Sequence, residues 1–159
     1  MILSKINSFF YNIAILSRIW LEGYIFNFDK NNDISRITEH IYVGNLSTST
    51  NKELLKINEI KNIICIMSQP AIYFNNEFNY LYIPAYNIPD FNLSFSFPIS
   101  NTFINTAIQK NEKIFIHCMG GTSRSIALVL SYLMWKFPDN SLEEHLINII
   151  SKRGSANPN

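Results

Sequence analysis

KIFIHCMGGTSRSIALVLSYLMWKF, residues 113–137, decides the fold. Its opening, Lys113 to Cys118, is a short apolar run of strand-forming residues, and its close, Ser125 to Phe137, carries the apolar composition of a buried helix. A polar loop containing Gly120 and Gly121 joins the two. A strand that passes through such a loop into a helix is the repeating unit of parallel sheets covered by helices. The loop has a chemical consequence as well. As the chain curls into the helix, successive backbone N–H groups point at one spot and the positive end of the helix dipole adds to their field, which suits a phosphate group. The two glycines let the loop curl without steric cost.

Side chains of the same loop supply what phosphate chemistry needs. Cys118 sits at its start, inside that positive field, so its thiol pKa should fall below the free value of about 8.5 and leave a thiolate nucleophile at neutral pH. Arg124 closes the ring. Its planar guanidinium can hold two phosphoryl oxygens and follow the charge that spreads over them in the transition state, which a lysine does less well. Ser125 can donate a hydrogen bond toward the sulfur and help Cys118 depart, and His117 can orient the loop through its ring nitrogens. Met119, Gly120, Gly121, Thr122, Ser123 and Arg124 form the expected phosphate-binding ring. The competing reading, a structural cysteine beside a chance arginine, has to account for strand, Cys, Gly, Arg, Ser and helix all coinciding.

Outward from this segment the chain alternates strands and helices. ITEHIYVG (37–44) reads as a strand, STSTNKELLKI (47–57) as a helix opened by capping hydroxyls, EIKNIICIM (59–67) as a buried strand and YLYIP (80–84) as another. Residues 94–110 read as partly helical despite Pro98. A last helix starts at Ser141, with Glu143 and Glu144 in its first turn, and stops at Arg153-Gly154. The expected fold is α/β: a central, mostly parallel sheet flanked by helices. Ahead of it, residues 1–28 are predicted to form an amphipathic helix, with Ile2, Ile6, Phe9, Ile13, Leu16 and Trp20 along one stripe. Residues 29–34 read as a linker, and the main domain as 35–159.

Composition removes several function classes. Charged residues are 16% of the chain and the formal net charge is +1, so no basic field is available for a nucleic acid. Lys5, Asn7, Asn12, Arg18 and Glu22 interrupt the amino-terminal apolar stretch, which argues against a membrane span and, with no small-residue cleavage site following, against a signal peptide. Cys65 and Cys118 both lie in apolar strand-like runs, as in a reducing, intracellular and cytoplasmic setting, and Cys65 reads as core. The three histidines and two cysteines do not cluster at ligand spacings, so no metal and no other cofactor is expected; His40 and His145 read as surface residues. The richness in Asn, Ile, Lys, Phe and Tyr points to AT-rich codons, as in a virus or an AT-rich eukaryote.

The loop HCMGGTSRS resembles the HCxxGxxRS motif of dual-specificity protein phosphatases at every fixed position. EHIYVGN, KNIICI, YLYIPAYNIPDFNLSFSF and RGSANPN resemble other parts of that family in the same order. The resemblance spans residues 35–159, and YLMWK with RGSANPN is most similar to poxviral members. It implies hydrolysis of phosphotyrosine and phosphoserine or phosphothreonine in phosphorylated proteins through a cysteinyl-phosphate intermediate, without a metal. Two departures follow. The residue that usually protonates the leaving oxygen falls on Asn87, which cannot; Asp90, the sole acidic residue between Glu77 and Glu112, is the replacement candidate. Family members also continue past the PN with a further helix, so the amino-terminal helix is expected to cover the surface left open, in its own molecule or across a homodimer. The alternatives to an active phosphatase are a phosphate-binding relative without turnover and an RNA 5′-triphosphatase-like enzyme.

Overall fold

The computed structural model describes residues 33–86, 88 and 91–158. The expected amino-terminal helix, and Asn87 and Asp90, lie outside the described residues. Five strands form one sheet: β1 (Ile34–Arg36), β2 (Ile41–Gly44), β3 (Ile60–Met67), β4 (Asn79–Pro84) and β5 (Lys113–His117), in spatial order β1-β2-β5-β3-β4. All neighbours run parallel except β1 and β2, which pair antiparallel from Ile34–Gly44 to Arg36–Tyr42. The helices are α1 (Leu46–Ser49), α2 (Lys52–Ile57), α3 (Phe97–Gln109), α4 (Arg124–Lys136) and α5 (Leu142–Lys152), with a 3₁₀ turn at Ser94–Ser96 before α3.

The sheet divides the core in two because side chains alternate across it. Val43, Ile64, Ile66, Ile83, Ile114 and Ile116 face α3, α4 and α5, meeting Ile104, Ile126, Val129 and Ile149. Tyr42, Ile63 and Phe115 face the other way, onto Leu55 of α2 and Phe78. β5 lies between β2 and β3, and Ile114, Phe115, Ile116 and His117 are all buried. That central position, covered on both faces, explains its continuous apolar run.

Two expected elements are each divided. ITEHIYVG is not one strand: the Thr38 hydroxyl accepts from the N–H groups of His40 and Ile41 at 3.3 and 3.0 Å, so residues 37–40 turn and only Ile41–Gly44 pair as β2. A short polar side chain here outcompetes the alternating pattern. STSTNKELLKI is two helices because Asn45 and Asn51 each cap one, accepting from Thr48 and Leu54 N–H at 2.9 and 3.0 Å. Pro98 sits in the first turn of α3, where it breaks no helical hydrogen bond. Ser141 caps α5 in a reciprocal capping box with Glu144, as the spacing predicts. His145 is not a surface residue: it is buried, and its Nε2 meets the Phe137 carbonyl at 3.2 Å. Phe91 and Phe97 pack against the core, whereas Phe95 is exposed. Asp33 and Ile34, at the end of the expected linker, belong to the folded sheet and its contacts.

Candidate active site

β5 ends at His117 and α4 begins at Arg124, so the loop between them stands at the carboxyl edge of the sheet, against the amino end of a helix. Cys118 is buried, and its Sγ receives the Gly121 N–H at 3.2 Å and lies 3.4 Å from Ser125 Oγ. Burial pushes the thiol pKa up, but the Arg124 guanidinium, the Ser125 hydroxyl and the backbone N–H groups of Ser125 and Gly121 outweigh it, so the thiol sits below its ordinary value. The thiol is therefore shifted toward its thiolate form where the loop concentrates its donors.

Arg124 is anchored at one end and unsatisfied at the other. Its Nη1 donates to the Ala85 carbonyl at 3.0 Å, two residues ahead of Asn87 in the sequence. Its Nε is buried with no partner among the described residues, a donor whose desolvation an oxyanion would offset. His117 stacks on Phe115 with ring centroids 5.5 Å apart, and its Nδ1 reaches the Cys118 carbonyl at 3.3 Å. Only this one ring nitrogen steadies the loop, for Nε2 is buried without a partner among the described residues. Burial pushes the imidazole pKa down to about 4, so the ring is neutral at pH 7.

The ring is gripped from behind by residues that the loop sequence does not reveal. The Met119 carbonyl accepts from Leu46 N–H at 3.0 Å, and the Thr122 carbonyl from Asn157 N–H at 2.8 Å. Between them, the Gly121 carbonyl accepts from Arg153 Nε at 2.7 Å and the Gly120 carbonyl from Arg153 Nη2 at 3.4 Å. Among the described residues no peptide bond is cis, so in each of these planar units the N–H points away from the gripped carbonyl, as the Gly121 N–H does toward Sγ. Gly121 has φ +68°, and a Cβ there would lie 2.4 Å from the Gly44 carbonyl oxygen and 2.6 Å from Arg153 Nη2. Glycine is required at that position for its conformation and for the space. Cys65, opposite His117 in the β3–β5 register, is buried, and burial pushes its thiol pKa up, in keeping with a packing role.

Sequence reasoning reached the ring itself, Cys118 through Ser125, but not Arg153, Asp33, Ala85 or Asn157. Arg153 looked like the end of a helix. Its signs were an arginine in a chain otherwise poor in charge and its place at the head of RGSANPN, neither of which says what the side chain meets.

A parallel sheet that delivers a buried, acid-shifted cysteine into a ring of backbone donors closed by an arginine defines the cysteine-dependent phosphatases as a class. Residues 41–159 match the family described as dual specificity phosphatase, catalytic domain, and the chain belongs to that family. It is 31% identical over 128 residues to human dual specificity protein phosphatase 22, covering 80% of this chain and 68% of that protein. It is 32% identical over 133 residues to the protein-tyrosine-phosphatase MKP1 of Arabidopsis thaliana, covering 83% of this chain and 17% of that much longer relative. Among solved structures, the human tyrosine phosphatase-like serine/threonine/tyrosine-interacting protein superposes with a TM-score of 0.75 at 26% identity, covering 81% of this chain and 89% of that one. The activity the family carries is protein phosphatase activity, through hydrolysis of phosphotyrosine and phosphoserine or phosphothreonine. No described helix is long and apolar enough to cross a membrane.

Proposed function

We propose that Cys118 is the nucleophile of this phosphatase and that Arg124, Ser125, His117 and Asp90 complete its machinery on phosphoprotein side chains. The observation that carries the reading is the paired arrangement around the sulfur: an acid-shifted thiol accepting the Gly121 N–H, beside an arginine with a buried N–H to spare. The Cys118 thiolate attacks phosphorus from the side opposite the leaving oxygen. The phosphorus–oxygen ester bond breaks, and a carboxylic acid protonates the departing alcohol or phenol. Arg124 and the N–H groups of Met119 to Arg124 hold the equatorial oxygens as charge spreads over them. Water then attacks the cysteinyl phosphate, the sulfur leaves as thiolate with the Ser125 hydroxyl beside it, and inorganic phosphate is released.

Asp90 is the candidate acid. The reading is supported by its place in the sequence, five residues after Ala85, whose carbonyl holds Arg124, while Asn87 has no proton of the right acidity to give. Hydrolysis of an aryl phosphate across pH, with vanadate as inhibitor, tests both assignments. Vanadate-sensitive turnover should vanish in Cys118→Ser, and in Asp90→Asn it should fall about 10²–10⁴-fold, with the alkaline fall of the pH profile flattened. Asp90→Asn kinetics equal to wild type would dismiss Asp90, and tight vanadate binding by a wild type without turnover would make the chain a phosphate-binding relative instead.

Self-association belongs to the same proposal. The apolar stripe of residues 1–28 in the sequence supports a homodimer, and Ile13→Asp in the full chain should then halve the mass measured by sedimentation. A wild-type monomer would exclude it.

A further inference from the structure

We propose that Arg153, held by Asp33, is a positioning residue that sets the direction of the backbone donors around Cys118. The inference deepens the phosphatase reading and rests on it. Arg153 lies beyond the end of α5 and is 3% exposed. Its backbone is fixed on both sides, the N–H by the Ile149 carbonyl at 2.9 Å and the carbonyl by Ala156 N–H at 2.9 Å. The guanidinium spends its donors in two directions. Nη1 gives to Asp33 Oδ1 at 2.9 Å and Ser35 Oγ at 3.0 Å, Nη2 to Asp33 Oδ2 at 2.5 Å, and Nε and Nη2 to the carbonyls of Gly121 and Gly120. The carboxylate neutralises a charge that would otherwise be buried alone, and the planar fork orients it.

Those two carbonyls belong to the peptide units whose N–H groups are those of Gly121 and Thr122. A trans peptide is rigid, so fixing each carbonyl on Arg153 fixes the opposite N–H. For Gly121 that N–H is the one at 3.2 Å from Sγ. A carbonyl that accepts from a cation also polarises its own peptide and makes the N–H a stronger donor. Gly121 occupies the left-handed region at φ +68°, and as a glycine it is free to rotate away unless something holds it. Arg153 is that restraint, reached from a helix remote in sequence, and the carboxylate that orients it is contributed from just ahead of β1.

The test uses the full chain with Arg153→Lys and Asp33→Asn. Lysine keeps the charge but cannot fork, and asparagine keeps a polar partner but not the charge. Three quantities are read on folded protein, the first two free of turnover: the pH dependence of Cys118 alkylation by iodoacetate, the affinity for vanadate, and kcat and KM for an aryl phosphate. Arg153→Lys should move the alkylation profile to higher pH, weaken vanadate binding about 10- to 100-fold and lower kcat more than it raises KM. Asp33→Asn should do the same to a smaller extent, and the double variant should add little to Arg153→Lys. If Arg153→Lys does not fold, Asp33→Asn, whose side chain is 37% exposed, carries the test alone. An alkylation profile and vanadate affinity equal to wild type in the folded variants would overturn the proposal. A shifted profile in a chain whose wild type lacks turnover would uphold it while the catalytic reading fails.

Discussion

At Gly121 one hydrogen atom in place of a side chain decides the geometry of the ring. With φ at +68° and a prospective Cβ 2.4 Å from the Gly44 carbonyl oxygen, Gly121→Ala has both a strained backbone and a collision with main chain that cannot swing aside. Unfolding in urea should show a loss of about 1–3 kcal/mol from the backbone alone, with phosphatase turnover lost as well. A fully active, equally stable alanine variant would mean that the loop has another conformation. Ser125 is a gentler case. It lowers the Cys118 thiol pKa by hydrogen bonding to the sulfur, so Ser125→Ala should move the pH dependence of iodoacetate inactivation upward while the protein stays folded. At this scale the sequence was legible where the contacts are local: the Gly121 N–H and the Ser125 hydroxyl meet the Cys118 sulfur within one short segment. Arg153 was not legible, since its partners Gly121 and Asp33 are distant in sequence and nothing in the local pattern announces them.

Among the elements, α5 is the one whose formation matters beyond packing, because it carries Arg153 to the ring. Its amino end is secured by the capping box of Ser141 and Glu144, with Ser141 N–H on Glu144 Oε2 at 2.7 Å and Glu144 N–H on Ser141 Oγ at 3.2 Å. Ser141→Ala should cost about 1 kcal/mol and lower Tm by about 2–4 °C, which calorimetry would detect. Below the transition its kinetic constants should match wild type, since the cap touches no part of the ring. The elements themselves were legible in type and order, and the two that were misjudged share a cause. Thr38 and Asn51 satisfy backbone N–H groups with their side chains, which ends an element that periodicity alone would continue.

Across the whole molecule, stability should carry the mark of a buried histidine. His117 is fully buried with its pKa pushed down to about 4, whereas in the unfolded chain it titrates near the ordinary 6.5. Between those values the unfolded chain binds a proton that the folded one refuses, so stability is lost as pH falls from about 6.5 toward 4 and is regained as pH rises. The full difference is of order 3 kcal/mol. Urea unfolding at pH 7 and pH 5 should show it, and His117→Gln should flatten that dependence; an unchanged slope would show that other groups set it. The Cys118 thiol, lowered in the fold, acts in the same sense at higher pH: its contribution grows as pH rises from the folded thiol's pKa and is complete above the unfolded thiol's.

From the sequence alone came the α/β class, the order of strands and helices from 59 onward, the ring from His117 to Ser125 and the chemistry that those residue types can perform. All of these follow from near neighbours along the chain, where periodicity, capping and loop composition act directly. Only the tertiary structure decided that β1 adds antiparallel at the edge, that β5 takes the centre of the sheet, and that Arg124 rests on Ala85. It alone brought Asp33 and Arg153 together behind Gly121. Apart from the β1–β2 pairing, these are contacts between residues far apart in the chain, fixed by how the sheet and its two helical layers close on one another, and no local pattern of residues encodes them.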